Sequence, residues 1–499
     1  MSGVSMKTGG LFDRIGWLLL LFPFLFLLWT ARPDLEGGDS AELVTAAHTL
    51  GIPHATGYPL YVWLGRIAIL LFGSDPARAM NLLSALLGAG AILVAALAAR
   101  EATGDILAGA VALAGLALAR PFWHVASLAE VYTLHHLLLA ATLFFLFRWR
   151  RTGGERFLWL AVWAAGLDAS HHGSALLFAP GYALFVIAHR RLLPSLPRLA
   201  APLLLLPLAF TVYLHLPIRN GADPAVNAFR DIQEKVDLGL LDKESAGDSF
   251  GDRFLFKLRG AGPGRKLTWF DDTARENAAG FPDYFRRTAG AFLLPIGLSG
   301  LLWGAARRGR SAALLLLYCF LANTLFYVNF RTMDLEDFVL PSTLFLLLGG
   351  SLLLADLRRL APRTGAASFV LPLLLVALAA GNGADLARRA ERINGYVHSR
   401  TILETERRLL AEDLPEGAHI CLPWGRAMAV VYLQAVEGIR TDITVHHLAR
   451  REYDRVIEEY GGRVPLYVED ISAETRRAWR VVPEAGLFRI EPKGERKSR

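Results

Sequence analysis

Five short stretches of this chain carry side-chain types that chemistry needs. The first, GGDSAE at 37–42, sets Asp39 and Glu42 one turn apart if a helix begins there. Asp39 as N-cap with Glu42 at the third helical position would form a capping box; Asp39 could equally serve as a base or an electrostatic partner. The second, GIPHATGYPLY at 51–61, uses two prolines and two glycines to fix a turn around His54, Tyr58 and Tyr61. Histidine there suits proton transfer or phosphate hydrogen bonding, and the tyrosines suit interfacial anchoring. The third, LAEVYTLHH at 128–136, places Glu130 at the mouth of an apolar run that Tyr132, His135 and His136 enter, with Asp168, His171 and His172 at a neighbouring mouth. An acid at membrane depth is costly, so it is paired or functional. The histidine spacing fits no metal signature, which favours hydrogen-bonded helix-end histidines over a metal site. In the fourth, YLHLPIRNGADP at 213–224, Arg219 and Asn220 follow a span; a guanidinium there snorkels to the interface or clamps a phosphate. In the fifth, NFRTMDLEDFVLPS at 329–342, Arg331, Asp334, Glu336 and Asp337 crowd one short loop, where mutual salt bridges are the plain expectation.

The elements that must position these residues are apolar. Of 499 residues, 53% are hydrophobic and the mean hydropathy is +0.35. Runs long enough to cross a hydrocarbon core recur to about Gly381. The expected spans are 15–31, 80–99, 105–121, 133–148, 157–170, 174–189, 200–217, 288–305, 311–329, 338–357 and 366–382, about eleven in all. The first run follows Lys7 and Arg14 and precedes no small-residue cleavage site, so it is expected to stay uncleaved. The net charge of +7 sits mostly in short loops between the runs, which marks topology and excludes a nucleic-acid surface. Cys319 lies in a run and Cys421 in the polar tail, so no disulfide is expected.

Loops holding Arg100, Arg148–Arg156, Arg190–Arg198, Arg307–Arg310 and Arg358–Arg363 alternate with loops that are long and acidic. The positive-inside rule puts the basic set and the N-terminus in the cytoplasm and every constellation above outside. In the first outer loop, Leu43, Ala47 and Leu50, then Leu60, Leu64, Ile67 and Leu71, have the spacing of helices lying along the membrane surface. The tail reads as a small α/β domain: helical spacing over Arg388–Leu410 and strands at 419–423, 442–448 and 465–469, with no Gly-rich phosphate loop. The expected architecture is therefore a mainly α, polytopic membrane domain over 1–382 and an extracytoplasmic α/β domain over 383–499. A multi-pass position in a bacterial inner membrane follows.

The cytoplasmic loops are too short to hold a nucleotide-sugar domain, so any substrate must come from the outer leaflet, as a lipid-linked phosphate donor would. A transporter or flippase of a lipid-linked glycan is the competing class. It tends to place ionisable residues at mid-membrane, and the mid-span regions here are nearly charge-free. A receptor or assembly protein working through its tail is a third.

The segments GGDSAELVTAAHTLGIPHATGYPLY, LAEVYTLHH, LDASHHGSALLFAPG, YLHLPIR, NFRTMDLEDFVLPS and YLQAVEGIRTDITV follow one another along nearly the whole chain. Together they resemble a family of protein O-mannosyltransferase-like membrane proteins, long labelled a domain of unknown function, and through it the GT-C glycosyltransferases. Positions 37–61 carry the most specific part; Ala55 and Thr56 stand where the family has two prolines. The resemblance implies transfer of a sugar, with mannose in the family name, from a polyprenyl-phosphate donor to a protein or glycan acceptor. Asp39 and Glu42 would be catalytic. His54, Tyr58, Glu130, Tyr132, His171, His172, Arg219 and Asn220 would bind substrate. No cofactor, metal or nucleic-acid partner is implied.

Overall fold

In a bilayer each backbone N–H and C=O must find its partner inside the segment, so apolar runs become helices. The computed structural model describes residues 10–54, 56–73, 75–247, 249–258, 266–267, 269–289, 293–307, 311–332, 335–360 and 401–493. Its membrane part comprises α1 (Leu11–Thr30), α2 (Asp39–Thr49), α3 (Pro59–Phe72), α4 (Pro76–Thr103), α5 (Ile106–Leu118), α6 (Arg120–Ser127), α7 (Tyr132–Thr152) and α8 (Glu155–His171). A 3-10 turn (Gly173–Phe178) leads into α9 (Ala179–Ala188); α10 (Leu196–Phe210) continues through a second such turn into α11 (His215–Asn220). Then follow α12 (Ala228–Asp237), α13 (Lys243–Ala246), α14 (Phe250–Leu258), α15 (Asp272–Ala289), α16 (Leu293–Ala306), α17 (Ser311–Val328) and α18 (Leu335–Leu360). The strands β1 (Lys266–Leu267) and β2 (Phe330–Arg331) pair antiparallel and tie the long polar stretch before α15 to the fifth constellation.

The described residues of the expected spans up to 338–357 fall mostly on helix, while the span at 366–382, the start of the tail helix and Asp334 lie outside the described residues. Among the described residues, four helices are long and apolar enough to cross a membrane, or five if the pair α5–α6 is one span, and Pro59–Phe72, Gly173–Ala188 and Leu293–Ala306 are shorter apolar helices. The expected span 105–121 is broken. Its chain bends by 71° between α5 and α6. Pro121 explains the break: a continuous helix would lose its N–H bond and push its ring into the carbonyl four residues back. Small residues allow a close crossing of α16 and α18, where a Cβ on Gly300 would lie 1.9 Å from the Gly349 carbonyl oxygen. At one end, loops of the basic set meet: Glu101 accepts from Arg148 and Arg151, Arg358 pairs with Asp105, and Arg307 with Asp356.

The tail brings α19 (Thr401–Ala411), α20 (Trp424–Glu437), α21 (Tyr453–Tyr460) and α22 (Ala473–Ala478) around a mixed five-stranded sheet of order β4–β3–β5–β7–β6. Strands β3 (His419–Leu422), β4 (Thr444–His447) and β5 (Leu466–Val468) are parallel and occupy the expected positions. The hairpin of β6 (Trp479–Glu484) and β7 (Leu487–Pro492) was not expected. Its sequence is charged and carries Pro483, and the signal for it is the Ala485–Gly486 turn, in which both residues have positive φ.

The tail does not stand apart. Leu43, Val44 and Ala47 of α2 share one apolar cluster with Ala427, Met428, Val430 and Leu433 of α20. This corrects the surface reading of α2, whose Leu43 and Ala47 are fully enclosed. An exposed apolar face belongs instead to α3, which presents Trp63, Ile67, Leu70 and Leu71. A polar latch completes the docking. His446 Nδ1 lies 2.6 Å from Glu234 Oε1, and His447 Nε2 lies 3.3 Å from Asp231 Oδ2, both acids on α12. Burial works against a charged His447, but the charge and hydrogen bond of Asp231, with Glu234 behind it, outweigh burial and hold its pKa above the ordinary value. A raised histidine pKa stabilises the folded form fully below the unfolded value of about 6.5 and loses that contribution as pH rises through the raised value. The thermal midpoint of the purified protein should therefore fall as pH climbs from about 6 to 8. Asp231→Asn should flatten that dependence; an unchanged slope would remove His447 as its source.

Candidate functional site

Two glycines place Asp39. Gly38 has φ +73°, a left-handed conformation that suits glycine, and a Cβ on Gly37 would lie 2.5 Å from the Gly425 carbonyl oxygen. The backbone of α20 thus comes directly against this loop, and Gly38 N–H donates to Gly425 O at 3.2 Å. Helix α2 begins at Asp39 with Gly38 as its N-cap and no side-chain cap. The capping-box reading is therefore wrong, and Asp39 is the first helical residue. Its carboxylate turns outward: Oδ1 accepts the Trp424 indole N–H at 2.9 Å, and Oδ2 lies 3.3 Å from His54 Nε2.

Glu42 has a different position one turn on. It accepts the His54 backbone N–H at 2.8 Å through Oε1 and hydrogen-bonds His54 Nδ1 through Oε2. Its side chain is 1% exposed, against 42% for Asp39. That contrast separates the two acids: a substrate can reach Asp39, whereas Glu42 anchors the imidazole. With Nδ1 bound to Glu42, Nε2 is the nitrogen that faces Asp39.

The turn that presents His54 is tight. Gly57 N–H donates to His54 O, and Gly57 and Tyr58 both have positive φ. Tyr58 is a non-glycine residue in that region, a strained placement of the kind found at functional sites. Its ring stands 5.8 Å from His54 and 5.7 Å from His171. Tyr132 lies within electrostatic reach of Asp39, Tyr58, Glu130 and Asp337, and its ring is 5.5 Å from His172. Residues of the first, second, third and fifth constellations converge here.

Behind them runs a buried polar network. His135 Nδ1 is 2.7 Å from Asp168 Oδ1, and its Nε2 is 3.1 Å from Ser174 Oγ, which lies 2.6 Å from His172 Nδ1. His171 Nε2 donates to Val131 O at 2.9 Å. Each of these histidines makes a hydrogen bond to a protein group, while the buried Nδ1 of His171 makes none. Asp39, Glu42 and His54 do offer ligand atoms within 4.8 Å of one another. The segment from Asp39 to His54 therefore assembles a mixed oxygen–nitrogen set that could hold a divalent cation, which the sequence reading did not foresee.

Arg219 and Asn220 lie elsewhere. Arg219 donates through Nε to Leu50 O at 2.7 Å and through Nη2 to Thr49 O at 2.9 Å. It closes the carbonyls that the end of α2 leaves without helical partners, where a cation also suits the helix dipole. Asp39 sits at the other end of this 11-residue helix, about 15 Å away at the α-helical rise. Asn220 accepts from Asn227. Arg219 and Asp39 thus stand at opposite ends of α2. The residue that sequence reasoning missed is Trp424. Its only signal is a tryptophan after Pro423, at the junction of β3 and α20.

Residues 39–194 match the family model described as the Protein O-mannosyl-transferase TMEM260 N-terminal domain. The chain is 31% identical to mouse Protein O-mannosyl-transferase TMEM260 over 38% of its own length and 28% of that protein. It is 39% identical to the Dictyostelium discoideum protein of the same name over 11% of its length and 7% of that protein. The match thus spans less than a third of these relatives. In three dimensions the chain resembles ArnT from Cupriavidus metallidurans, solved with undecaprenyl phosphate: TM-score 0.56, 13% identity, 97% of this chain and 98% of that one. The Archaeoglobus fulgidus oligosaccharyltransferase, solved with zinc and sulfate, superposes with TM-score 0.51 at 12% identity over 95% of this chain and 73% of that one. The fold is that of the GT-C glycosyltransferases, a multi-pass membrane fold.

The position of Arg219 gives a direct expectation. Arg219→Ala should lower stability by about 1–2 kcal/mol, because it removes charge-assisted bonds to the helix end, and should leave the KM for a lipid donor unchanged. A raised donor KM at an unchanged thermal midpoint would restore the phosphate role.

Proposed function

We propose that this protein is a membrane glycosyltransferase that moves a sugar from a polyprenyl-phosphate donor to an acceptor hydroxyl on the extracytoplasmic face. The observation that carries the reading is the exposed Asp39 carboxylate, held by Trp424 and His54 at the mouth of a GT-C fold. Mannose is the first sugar to test and a protein hydroxyl the first acceptor, since both stand in the names of the relatives.

Asp39 takes the proton of the acceptor hydroxyl as its oxygen bonds to the anomeric carbon. The bond from that carbon to the phosphate oxygen breaks, and polyprenyl phosphate leaves with the electron pair. One displacement inverts the anomeric centre. Phosphate is a good leaving group, so a general acid is dispensable. His54, anchored by Glu42, orients Asp39 and stands 3.3 Å away as the next proton carrier. Tyr58 and Tyr132 wall the acceptor side, with Glu130 nearby, and the buried His171 and His172 back them. The basic loops gather at the opposite end, which supports an inside N-terminus and an outside tail under the positive-inside rule. The lipid tail of the donor then lies in the bilayer beside exposed apolar faces such as that of α3.

Purified protein incubated with polyprenyl-phosphate mannose and a hydroxyl-bearing peptide should release polyprenyl phosphate. Asp39→Asn should cut the rate by about 10²–10⁴-fold while size-exclusion behaviour and thermal midpoint stay as in the parent protein. Wild-type turnover in Asp39→Asn would end the assignment of Asp39 as base. Movement of intact lipid-linked sugar across vesicles without hydrolysis or transfer would favour a flippase instead.

A further inference from the structure

The tail reaches the reacting end of the molecule with one side chain. Trp424 begins α20, and its indole N–H donates to Asp39 Oδ1 at 2.9 Å. Its ring stands edge-on to His54 at 6.0 Å and to His447 at 5.2 Å. The next residue, Gly425, accepts the Gly38 N–H, so backbone and side chain of the tail grip the same loop. We propose that Trp424 is a positioning residue for the transfer reaction, fixing Asp39 so that Oδ2 faces His54 and the incoming hydroxyl. This rests on the reading of Asp39 as the base.

The argument is one of geometry and donor chemistry. An aspartate at the first position of a helix, 42% exposed, has water on its open side and rotamers to choose from. One strong hydrogen bond to Oδ1 sets the plane of the carboxylate and leaves Oδ2 to work. Indole suits this role because it only donates and carries no charge. Arginine or lysine in its place would neutralise the base, and a hydroxyl could turn and accept instead. Preorganised donors of this kind lower the reorganisation that the reaction requires.

Trp424 is in turn held by residues far from it in sequence. His447 of β4 packs against its ring, and Asp231 of α12 pairs with His447. The line Asp231–His447–Trp424–Asp39 therefore runs through the long outer loop, the tail sheet, the tail helix and the first outer loop. The base is aligned only when the tail is docked, so the tail belongs to the catalytic unit.

The test removes the N–H and keeps the ring. In the full-length protein, Trp424→Phe and a site-specific benzothienylalanine at position 424, which preserves the indole shape without its N–H, are compared with wild type. Both should lower kcat by about tenfold to a hundredfold, as loss of a hydrogen bond to a charged group predicts, with donor and acceptor KM within about twofold. The benzothienylalanine protein should keep the wild-type thermal midpoint, which decides the matter if Trp424→Phe folds poorly. Wild-type kcat in the benzothienylalanine protein, or a loss confined to KM, would overturn the positioning role while leaving the transferase reading intact. A wild-type protein that transfers sugar from no polyprenyl-phosphate donor would overturn both.

Discussion

The backbone contact between the Gly37–Gly38 loop and Gly425 governs the functional end of this molecule. A side chain at position 37 would collide with that carbonyl, and a β-carbon at position 38 would resist the left-handed turn. Because the two backbones touch, α2 starts one residue earlier than a side-chain-capped helix would, and Asp39 becomes a presented carboxylate instead of a cap. The same contact brings Trp424 onto Asp39 and lays the apolar face of α20 over Leu43 and Val44. Helix direction then does the rest: Glu42, one turn on, faces inward to hold His54, and the distant end of α2 is closed by Arg219.

A second constraint operates inside the membrane part. Polar groups removed from water need partners, and His135, Asp168, Ser174 and His172 supply them to one another in a single connected network. That network lies directly behind Tyr132 and Tyr58, which ties the walls of the site to the rigid packing of α7 and α8. The residues around Asp39 thus rest on the membrane helices on one side and on the tail on the other.

Much of this was legible in the residues. Apolar run length located the helices, since a bilayer leaves the backbone no other option, and GGDSAE with its neighbours marked the segment on which Asp39, Glu42 and His54 meet. The break at Ala119 was written in Pro121 but lost in a run of uniform hydropathy. The hairpin β6–β7 was hidden because its strands are charged and its register is set by a turn and by pairing with β5. Spacing alone gives Asp39 and Glu42 the same one-turn relation in a capping box and in a site, and only Gly38 at the N-cap removes the capping box. Arg219 looked like a phosphate ligand because a guanidinium after a span fits that role; which end of α2 it would meet depends on a fold-back of about 170 residues.

Local physics is written locally: hydropathy, proline and glycine act within a few residues, so the chain itself determined its helices, its two sets of loops and the loop that carries the acids. Contacts between distant segments were decided only by the tertiary structure. Trp424 lies 385 positions from Asp39, and His447 and Asp231 come from two further segments. No pattern in the chain announces such a meeting, because hydrogen-bond geometry depends on where packed backbones place their side chains, and that is settled by the whole fold at once.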